Sequence, residues 1–137
     1  MKSLINSSLL IIVSFFALAA GAINNPQIRE CRIRGGEFVV VETGSDQVGL
    51  CRLGSAFIGA RDIMFVINND GNPKSVEMYA SEMKKCDPLG RAQTLVTLEG
   101  VAVELCVFND GSMIALDTLH QGRYSAENSL LNQALGL

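Results

Sequence analysis

The sequence contains little histidine, no Cys-x-x-Cys motif and no excess of basic residues, and each absence excludes a class of function. His120 is the only histidine among 137 residues, so a zinc site built from cysteine and histidine is excluded. A formal net charge of −3 argues against a general nucleic-acid binder. A span of the bilayer needs about 20 apolar residues, and nothing after Ala22 provides them. We therefore expect no metal, no cofactor, no nucleic-acid partner and no integral membrane segment in the mature chain.

Sequence motifs for catalysis are also missing. The nucleophile elbow, the zinc-protease motif and the phosphate-binding loop are all absent. Asp117 and His120 are close in sequence, and such a pair could orient an imidazole for acid–base chemistry. A lone histidine followed by Gln-Gly-Arg is more typical of a surface turn. We predict no catalytic residues, and a hydrolase using His120 is the rival interpretation.

The N-terminal segment, from Met1 to Ala22, has the composition of an export signal. Lys2 supplies a positive charge, residues 9–18 are mostly apolar, and Ala20-Gly21-Ala22 provides small residues at a cleavage point. We therefore predict a signal peptide over residues 1–22 and a mature chain beginning at Ile23. The protein is expected to be exported, either to the periplasm or as a secreted protein.

Four cysteines form two pairs with equal spacing. The interval from Cys31 to Cys51 is the same as the interval from Cys86 to Cys106. Export to an oxidising compartment favours disulfides. Four cysteines permit three pairings, and the equal spacing favours the pairing within each pair. Closing a loop of this size is worth about 3 kcal/mol in the chain-entropy model.

When the sequence is aligned with itself so that the first cysteine pair matches the second, other identical residues also coincide. These are Gly35 with Gly90, Val41 with Val96, Leu50 with Leu105 and Asp62 with Asp117. We therefore predict two tandem units, residues 23–72 and 73–137. The segment 68–73 between them has the composition of a calcium loop, but Val66 stands where an EF-hand needs its first ligand. We interpret it as a polar connection.

Each unit is predicted to be a short helix packed on an antiparallel hairpin or three-stranded sheet, so the fold class is α+β. In the first unit, Asn25-Pro26 begins the helix and Gly35-Gly36 ends it. Strands 38–41 and 48–51 flank a turn. In the second unit, strands 94–98 and 101–108 form the hairpin, with Val101, Val103, Leu105 and Val107 on one side.

Other elements follow from weaker patterns of apolar residues. Residues 63–67 are apolar enough for a strand. Ser75 is predicted to cap a helix whose apolar stripe includes Met83. A closing C-terminal helix is predicted over residues 125–135, with a buried stripe formed by Leu130, Leu131, Ala134 and Leu135.

The segments Asn25-Pro26 to Cys31, Gly35-Gly36 and Cys51, and later Cys106, Phe108 and Asp110-Gly111, follow one pattern. It resembles that of a family of short, exported bacterial domains of unknown function often labelled hemolysin. The resemblance covers nearly all of the mature chain as two divergent copies. The further cysteines that the family typically carries after Asp-Gly and near the domain end are absent here.

The function predicted from these patterns is that of an exported, non-enzymatic binding protein for an unknown protein or surface partner. Turn-rich loops on a disulfide-supported fold are available for contact. The alternative is a small protease inhibitor or antagonist of a secreted enzyme, because a stapled hairpin presents a rigid loop at low entropic cost. The candidate inhibitory loops are residues 54–61 and 112–116. The family label adds a lytic activity as a further hypothesis.

Overall fold

The computed structural model describes residues 25–137, so the predicted signal peptide lies outside the described residues. Helices and strands alternate along the described chain. The helices are α1 (Pro26–Ile33), α2 (Ala60–Ile67), α3 (Lys74–Ala80), α4 (Leu116–Gln121) and α5 (Ser129–Leu135). The strands are β1 (Glu37–Thr43), β2 (Asp46–Leu53), β3 (Ala56–Gly59), β4 (Gly90–Thr97), β5 (Ala102–Phe108) and β6 (Met113–Ala115).

The six strands form one closed antiparallel barrel in the order β1-β2-β3-β6-β5-β4. Two seams join the strands of the first half to those of the second. At the β1–β4 seam Val41 pairs with Thr97 and Glu42 with Val96, and at the β3–β6 seam Ile58 pairs with Ile114. The α+β class is confirmed, but the sheet is not divided into two small sheets. A separate three-stranded sheet has an unpaired strand at each edge, and joining the two halves edge to edge removes all of those edges.

The first helix and hairpin lie where the sequence predicts them. Asn25 is the N-cap of α1 and its side chain accepts the Gln27 N–H at 2.9 Å, while Pro26 occupies the first helical position. Gly35 follows the helix with a φ of +83°, a conformation in which a Cβ would be strained. The chain then reverses into β1, which pairs with β2 along its whole length.

Two of the predicted elements were wrong. Residues 63–67 belong to helix α2 and not to a strand, because a short apolar run has no period that distinguishes the two. Helix α3 ends at Ala80, so Met83 is not on its stripe but 51% exposed. The helix ends there because Glu82 adopts a φ of +61°.

The closing helix is present as a short 3-10 turn, Ala126–Asn128, followed by α5. Leu131, Ala134 and Leu135 are buried as predicted, whereas Leu130 is 37% exposed. The helix packs against α2 across the outside of the barrel. It therefore covers the first half of the chain, although it belongs to the second.

The apolar core has two parts. One fills the barrel interior and the other lies between the barrel and its helices. Fully buried side chains in the interior include Val41, Leu50 and Leu105. The outer part contains Ile58, Ile63, Tyr79, Leu119 and Leu131 together with all four cysteines. The helices pack mainly on β1–β3, β5 and β6, so the outer face of β4 is largely left to solvent.

Candidate functional site

The two disulfides pin the chain before each hairpin to the hairpin's second strand. Cys31 in α1 is bonded to Cys51 in β2, and Cys86 is bonded to Cys106 in β5, each with Cα atoms 5.6 Å apart. This is the pairing that the equal spacing favours. Cys86 lies in the loop after α3 and not at the helix end. All four cysteines are buried, so the bonds are structural members of the core.

Helices α2 and α4 are each tied to a strand of the opposite half. Asp62, in the first turn of α2, accepts the Met113 N–H at 3.0 Å, and Thr118, in the first turn of α4, accepts the Phe57 N–H at 3.1 Å. The interval in sequence from Asp62 to Thr118 equals the interval from Phe57 to Met113. The two hydrogen bonds therefore have equivalent positions in the two halves.

A polar cluster surrounds the Asp62 carboxylate. The Ser75 hydroxyl donates to Asp62 Oδ2 at 2.8 Å, and the Ser75 N–H donates to Ser112 Oγ at 3.0 Å. Asp110 accepts the Ser112 hydroxyl at 2.6 Å and the Lys74 N–H at 2.8 Å. The cluster therefore fixes the start of α3 against the turn between β5 and β6.

The two carboxylates of this cluster, Asp62 and Asp110, have pKa values that are shifted in opposite directions. Burial raises the pKa of Asp62 from its ordinary value of 3.8 to about 7, although hydrogen bonds from Met113 and Ser75 oppose the change. For Asp110 burial acts in the same direction, but the hydrogen bonds from Ser112 and Lys74 outweigh it and lower the pKa. Near neutral pH Asp110 is ionised, whereas Asp62 is only partly ionised.

A pocket of about 200 Å³ adjoins this cluster, lined by Arg61, Phe65 and Asp70 among others. The Arg61 guanidinium lies over the Phe65 ring, 5.1 Å from its centroid. Asp62 and Asp110 also line the pocket, but Ser75 has no exposed surface, Asp62 is 3% exposed, and both carboxylates are occupied by hydrogen bonds within the cluster. The cluster is therefore best understood as a structural connection.

The residues singled out for catalysis and inhibition do not form a site. Asp117 and His120 are both exposed on α4, and no hydrogen bond joins them in the described part of the chain. Residues 54–61 contain β3 and residues 112–116 contain β6, and both strands are largely buried. Neither segment is a loop that could enter the cleft of a protease.

Large apolar side chains are exposed at the tip of the β4–β5 hairpin. Val96 is 43% exposed, Leu98 55% and Val101 60%. Leu95 and Thr97 alternate with them and point into the barrel. Exposed Ala102 pairs with Val96 across the hairpin, and the Leu98 N–H donates to the carbonyl oxygen of half-buried Val40 at 3.3 Å. We call this set, Val40, Val96, Leu98, Val101 and Ala102, the hairpin-tip patch.

Three backbone N–H groups donate hydrogen bonds within the hairpin tip. The Thr97 N–H donates to Val101 O at 2.8 Å, and the Val101 N–H donates to Thr97 Oγ1 at 3.0 Å. Gly100 donates its N–H to Thr97 O at 2.9 Å. The patch is therefore presented by an ordered turn, which lowers the entropy cost of binding.

Exposed acidic residues border the hairpin-tip patch. Glu42 pairs with Val96, Glu99 lies in the turn beside Leu98, and Glu104 follows Ala102 on the same face of β5. Residues 35–51 and 92–122, which contain β1 and β5, include no lysine or arginine. β1 and β5 therefore carry only negative side-chain charge, and the one basic residue of β4, Arg91, lies at the opposite end of that strand from the patch.

Sequence reasoning missed this surface. It placed Val101 on the same side as Val103 and Leu105, whereas Val101 is exposed in the turn and the other two point inward. The available signal was the clustering of Val96, Leu98 and Val101 around Glu99-Gly100. An apolar turn is unusual, because turns are normally built from polar residues and glycine.

Comparison with known proteins gives no relative from which a function could be transferred. No family model matches the chain, and neither a curated protein nor a solved structure matches it. Over residues 25–137, no helix has the length and apolar character to cross a membrane. The same residues contain no group of three or more His, Cys, Asp or Glu side chains arranged to hold a metal ion.

Proposed function

We propose that the protein is an exported, non-enzymatic binding protein that presents the hairpin-tip patch to a protein partner. Nine large apolar side chains are exposed in residues 25–137, and three of them lie at this one turn. Clustered apolar exposure rimmed by polar residues marks interaction surfaces in soluble proteins. Burying half-exposed Val and Leu side chains would contribute roughly 1 kcal/mol each. This clustering is the observation that carries the proposal.

Export is supported by the disulfides and by the composition of residues 1–22. Two buried disulfides are typical of small proteins in oxidising compartments, such as the periplasm or the extracellular medium. Residues 1–22 would then be a signal peptide that is removed before the protein reaches its partner. The six-stranded barrel would be the mature, binding-competent form.

We also propose that the chain contains two copies of one unit, residues 23–72 and 73–137. The Asp62–Met113 and Thr118–Phe57 hydrogen bonds support this, because they exchange equivalent groups between the halves. Resemblance to the exported family labelled hemolysin supports it too. Asn25-Pro26, Gly35-Gly36 and the cysteines of that pattern all have structural roles here, as a helix cap, a helix stop and disulfides.

The structural use of the polar groups at the pocket beside Asp62 supports a non-enzymatic function, because Asp62 and Asp110, which both line it, hold α2 and α3 to the turn between β5 and β6 through hydrogen bonds. Ser75 and Ser112 are buried and occupied by hydrogen bonds to each other and to carboxylates. His120 is exposed without a hydrogen-bonded carboxylate in the described chain. The protease-inhibitor alternative is not supported, because the two segments predicted as inhibitory loops, residues 54–61 and 112–116, contain the largely buried strands β3 and β6.

The test compares two variants of the mature protein. Leu98→Ser with Val101→Ser removes the apolar tip, and Ile33→Ser with Tyr124→Ser removes two exposed apolar side chains elsewhere. Cross-linking in the exported fraction, followed by reconstitution with the purified partner, should recover the partner with wild type and the control but not with the patch variant. Equal recovery by all three proteins, or turnover of a substrate, would contradict the proposal.

A further inference from the structure

We infer that the hairpin-tip patch recognises a basic, apolar segment of its protein partner, with lysine or arginine beside apolar side chains. This inference rests on the proposed function and specifies the chemistry of the partner. It follows from three features of the surface: its place on the barrel, its charge and its contrast with the other exposed apolar side chains.

The patch lies where the barrel is least covered. The β1–β4 seam is paired at only two positions, Val41 with Thr97 and Glu42 with Val96. No helix packs to a comparable extent on β4, so the outward side chains of β4 meet solvent. Contributions from β1, β4 and β5 make the surface continuous across the seam. A segment of a partner could therefore lie across three strands.

Charge complementarity selects the partner. Glu42, Glu99 and Glu104 border the apolar side chains, and no basic residue occurs in residues 35–51 or 92–119. A partner with lysine or arginine next to its apolar side chains would neutralise this border, and an acidic partner would be repelled. Surface ion pairs add little affinity each. Apolar contact therefore supplies most of the binding, and the acidic border supplies specificity and faster association.

Two of the other exposed apolar side chains, Ile33 and Met83, have basic neighbours in the sequence. Ile33 lies between Arg32 and Arg34 in sequence, and Met83 precedes Lys84 and Lys85. Those positions do not combine clustered apolar exposure with an acidic border. An anionic membrane surface would be repelled by the border of the hairpin-tip patch for the same reason. The observations therefore favour a basic protein segment over a lipid surface.

The experiment uses the mature protein and two synthetic peptides, one of alternating leucine and lysine and one of alternating leucine and glutamate. Affinity is measured by fluorescence anisotropy at low and high salt. The leucine–lysine peptide should bind, and the leucine–glutamate peptide should not. Leu98→Ser with Val101→Ser should abolish binding. Combined Glu42→Lys, Glu99→Lys and Glu104→Lys should weaken it roughly tenfold, since exposed ion pairs are individually weak.

The matched control reverses three exposed acids elsewhere, Asp70→Lys, Asp117→Lys and Glu127→Lys, and should bind the leucine–lysine peptide like wild type. Equal weakening by control and border variants, tighter binding of the leucine–glutamate peptide, or patch-dependent binding to vesicles of anionic lipid would overturn the inference. The proposed function would survive if the natural partner still required Leu98 and Val101 but contacted them with an acidic or neutral segment. If the apolar patch variant changed neither peptide nor partner binding, both proposals would fail.

Discussion

Thr118 Oγ1 accepts the backbone N–H of Phe57 at 3.1 Å, and the two residues lie in opposite halves of the chain. Met113 and Asp62 make the equivalent contact in the other direction at 3.0 Å. Each half thus completes the hydrogen bonding of the other half's short strand. Separating the halves would break both hydrogen bonds, so they add to the few residue pairs that join the seams.

Replacing Thr118 tests this exchange. Thr118→Val keeps the shape of the side chain but removes the acceptor, so the Phe57 N–H is left without its side-chain acceptor. An unsatisfied buried donor costs about 1–3 kcal/mol, and urea unfolding should show a loss of this size in the free energy of unfolding. Thr118→Ser keeps the hydroxyl and serves as the control. A valine variant as stable as the serine variant would show that the hydrogen bond contributes nothing.

Asp62 predicts a pH dependence of stability. Its pKa is about 7 in the folded protein and near 3.8 when unfolded, so the folded state binds more protons between these values. The contribution of Asp62 to stability is therefore most favourable at acidic pH and is lost as the pH rises towards 7, whereas the lowered pKa of Asp110 acts in the opposite direction at low pH. The loss would be at most roughly 4 kcal/mol, because each pKa unit corresponds to about 1.4 kcal/mol.

Asp62→Asn isolates this effect. Its side-chain oxygen can still accept from Met113 and Ser75, but it carries no charge to bury. Melting temperatures should therefore vary less with pH than those of wild type between pH 4 and 7, and the variant should be the more stable protein at neutral pH. Asp117→Asn, at an exposed position on α4, should follow wild type. Parallel profiles for wild type and Asp62→Asn would refute the assignment.

Gly36 and Gly90 hold equivalent positions beside the disulfides, so the cysteine alignment that places Gly35 on Gly90 is out of register by one residue here. A Cβ on Gly36 would lie 2.6 Å from Cys51 Sγ and 2.9 Å from Cys31 Sγ, and a Cβ on Gly90 would overlap Cys106 Sγ. Gly90→Ala should therefore destabilise the protein by about 1–3 kcal/mol, as overpacked cores do. A double-mutant cycle with Cys86→Ala and Cys106→Ala should show a smaller cost without the disulfide. An undiminished cost would place the clash elsewhere.

Much of the first half could be predicted because its local signals agree. Asn25-Pro26 caps α1, Gly35 permits the reversal after it, and the apolar runs beyond it pair through a tight turn. Closure of the barrel could not be predicted in the same way. The β1–β4 seam contains two residue pairs and the β3–β6 seam contains one. So few pairs produce no periodic pattern in the sequence.

The correspondence between the two halves changes register within the chain. Leu50 pairs with Gly59, and the equivalent Leu105 pairs with Ala115. The sequence interval from Gly59 to Ala115 is one residue longer than the interval from Leu50 to Leu105. The turn before β6 accounts for the change, because it is longer than the turn before β3. Alignment on the cysteines therefore placed Asp62 on Asp117, although Thr118 makes the equivalent hydrogen bond.

The hairpin-tip patch could not be predicted because exposure on β4 depends on where the helices pack. The alternation along β4 and β5 indicates that Leu95 and Val103 are buried, and the apolar residues around Glu99-Gly100 mark an unusual turn, but neither pattern shows which strand the helices leave uncovered. In the structure the helices pack mainly on strands other than β4, so Val96 faces solvent, and Val101 lies in the exposed turn.

Removing one disulfide distinguishes two independent units from one cooperative barrel. Cys31→Ala with Cys51→Ala, or Cys86→Ala with Cys106→Ala, should lower the free energy of unfolding by about 3 kcal/mol through loop entropy. Because both seams join the halves, we expect a single urea transition in each variant, seen alike by near-ultraviolet dichroism and by hydrogen exchange in either half. Two transitions, with only the altered half unfolding early, would mean that the halves are stable separately and that the seams contribute little.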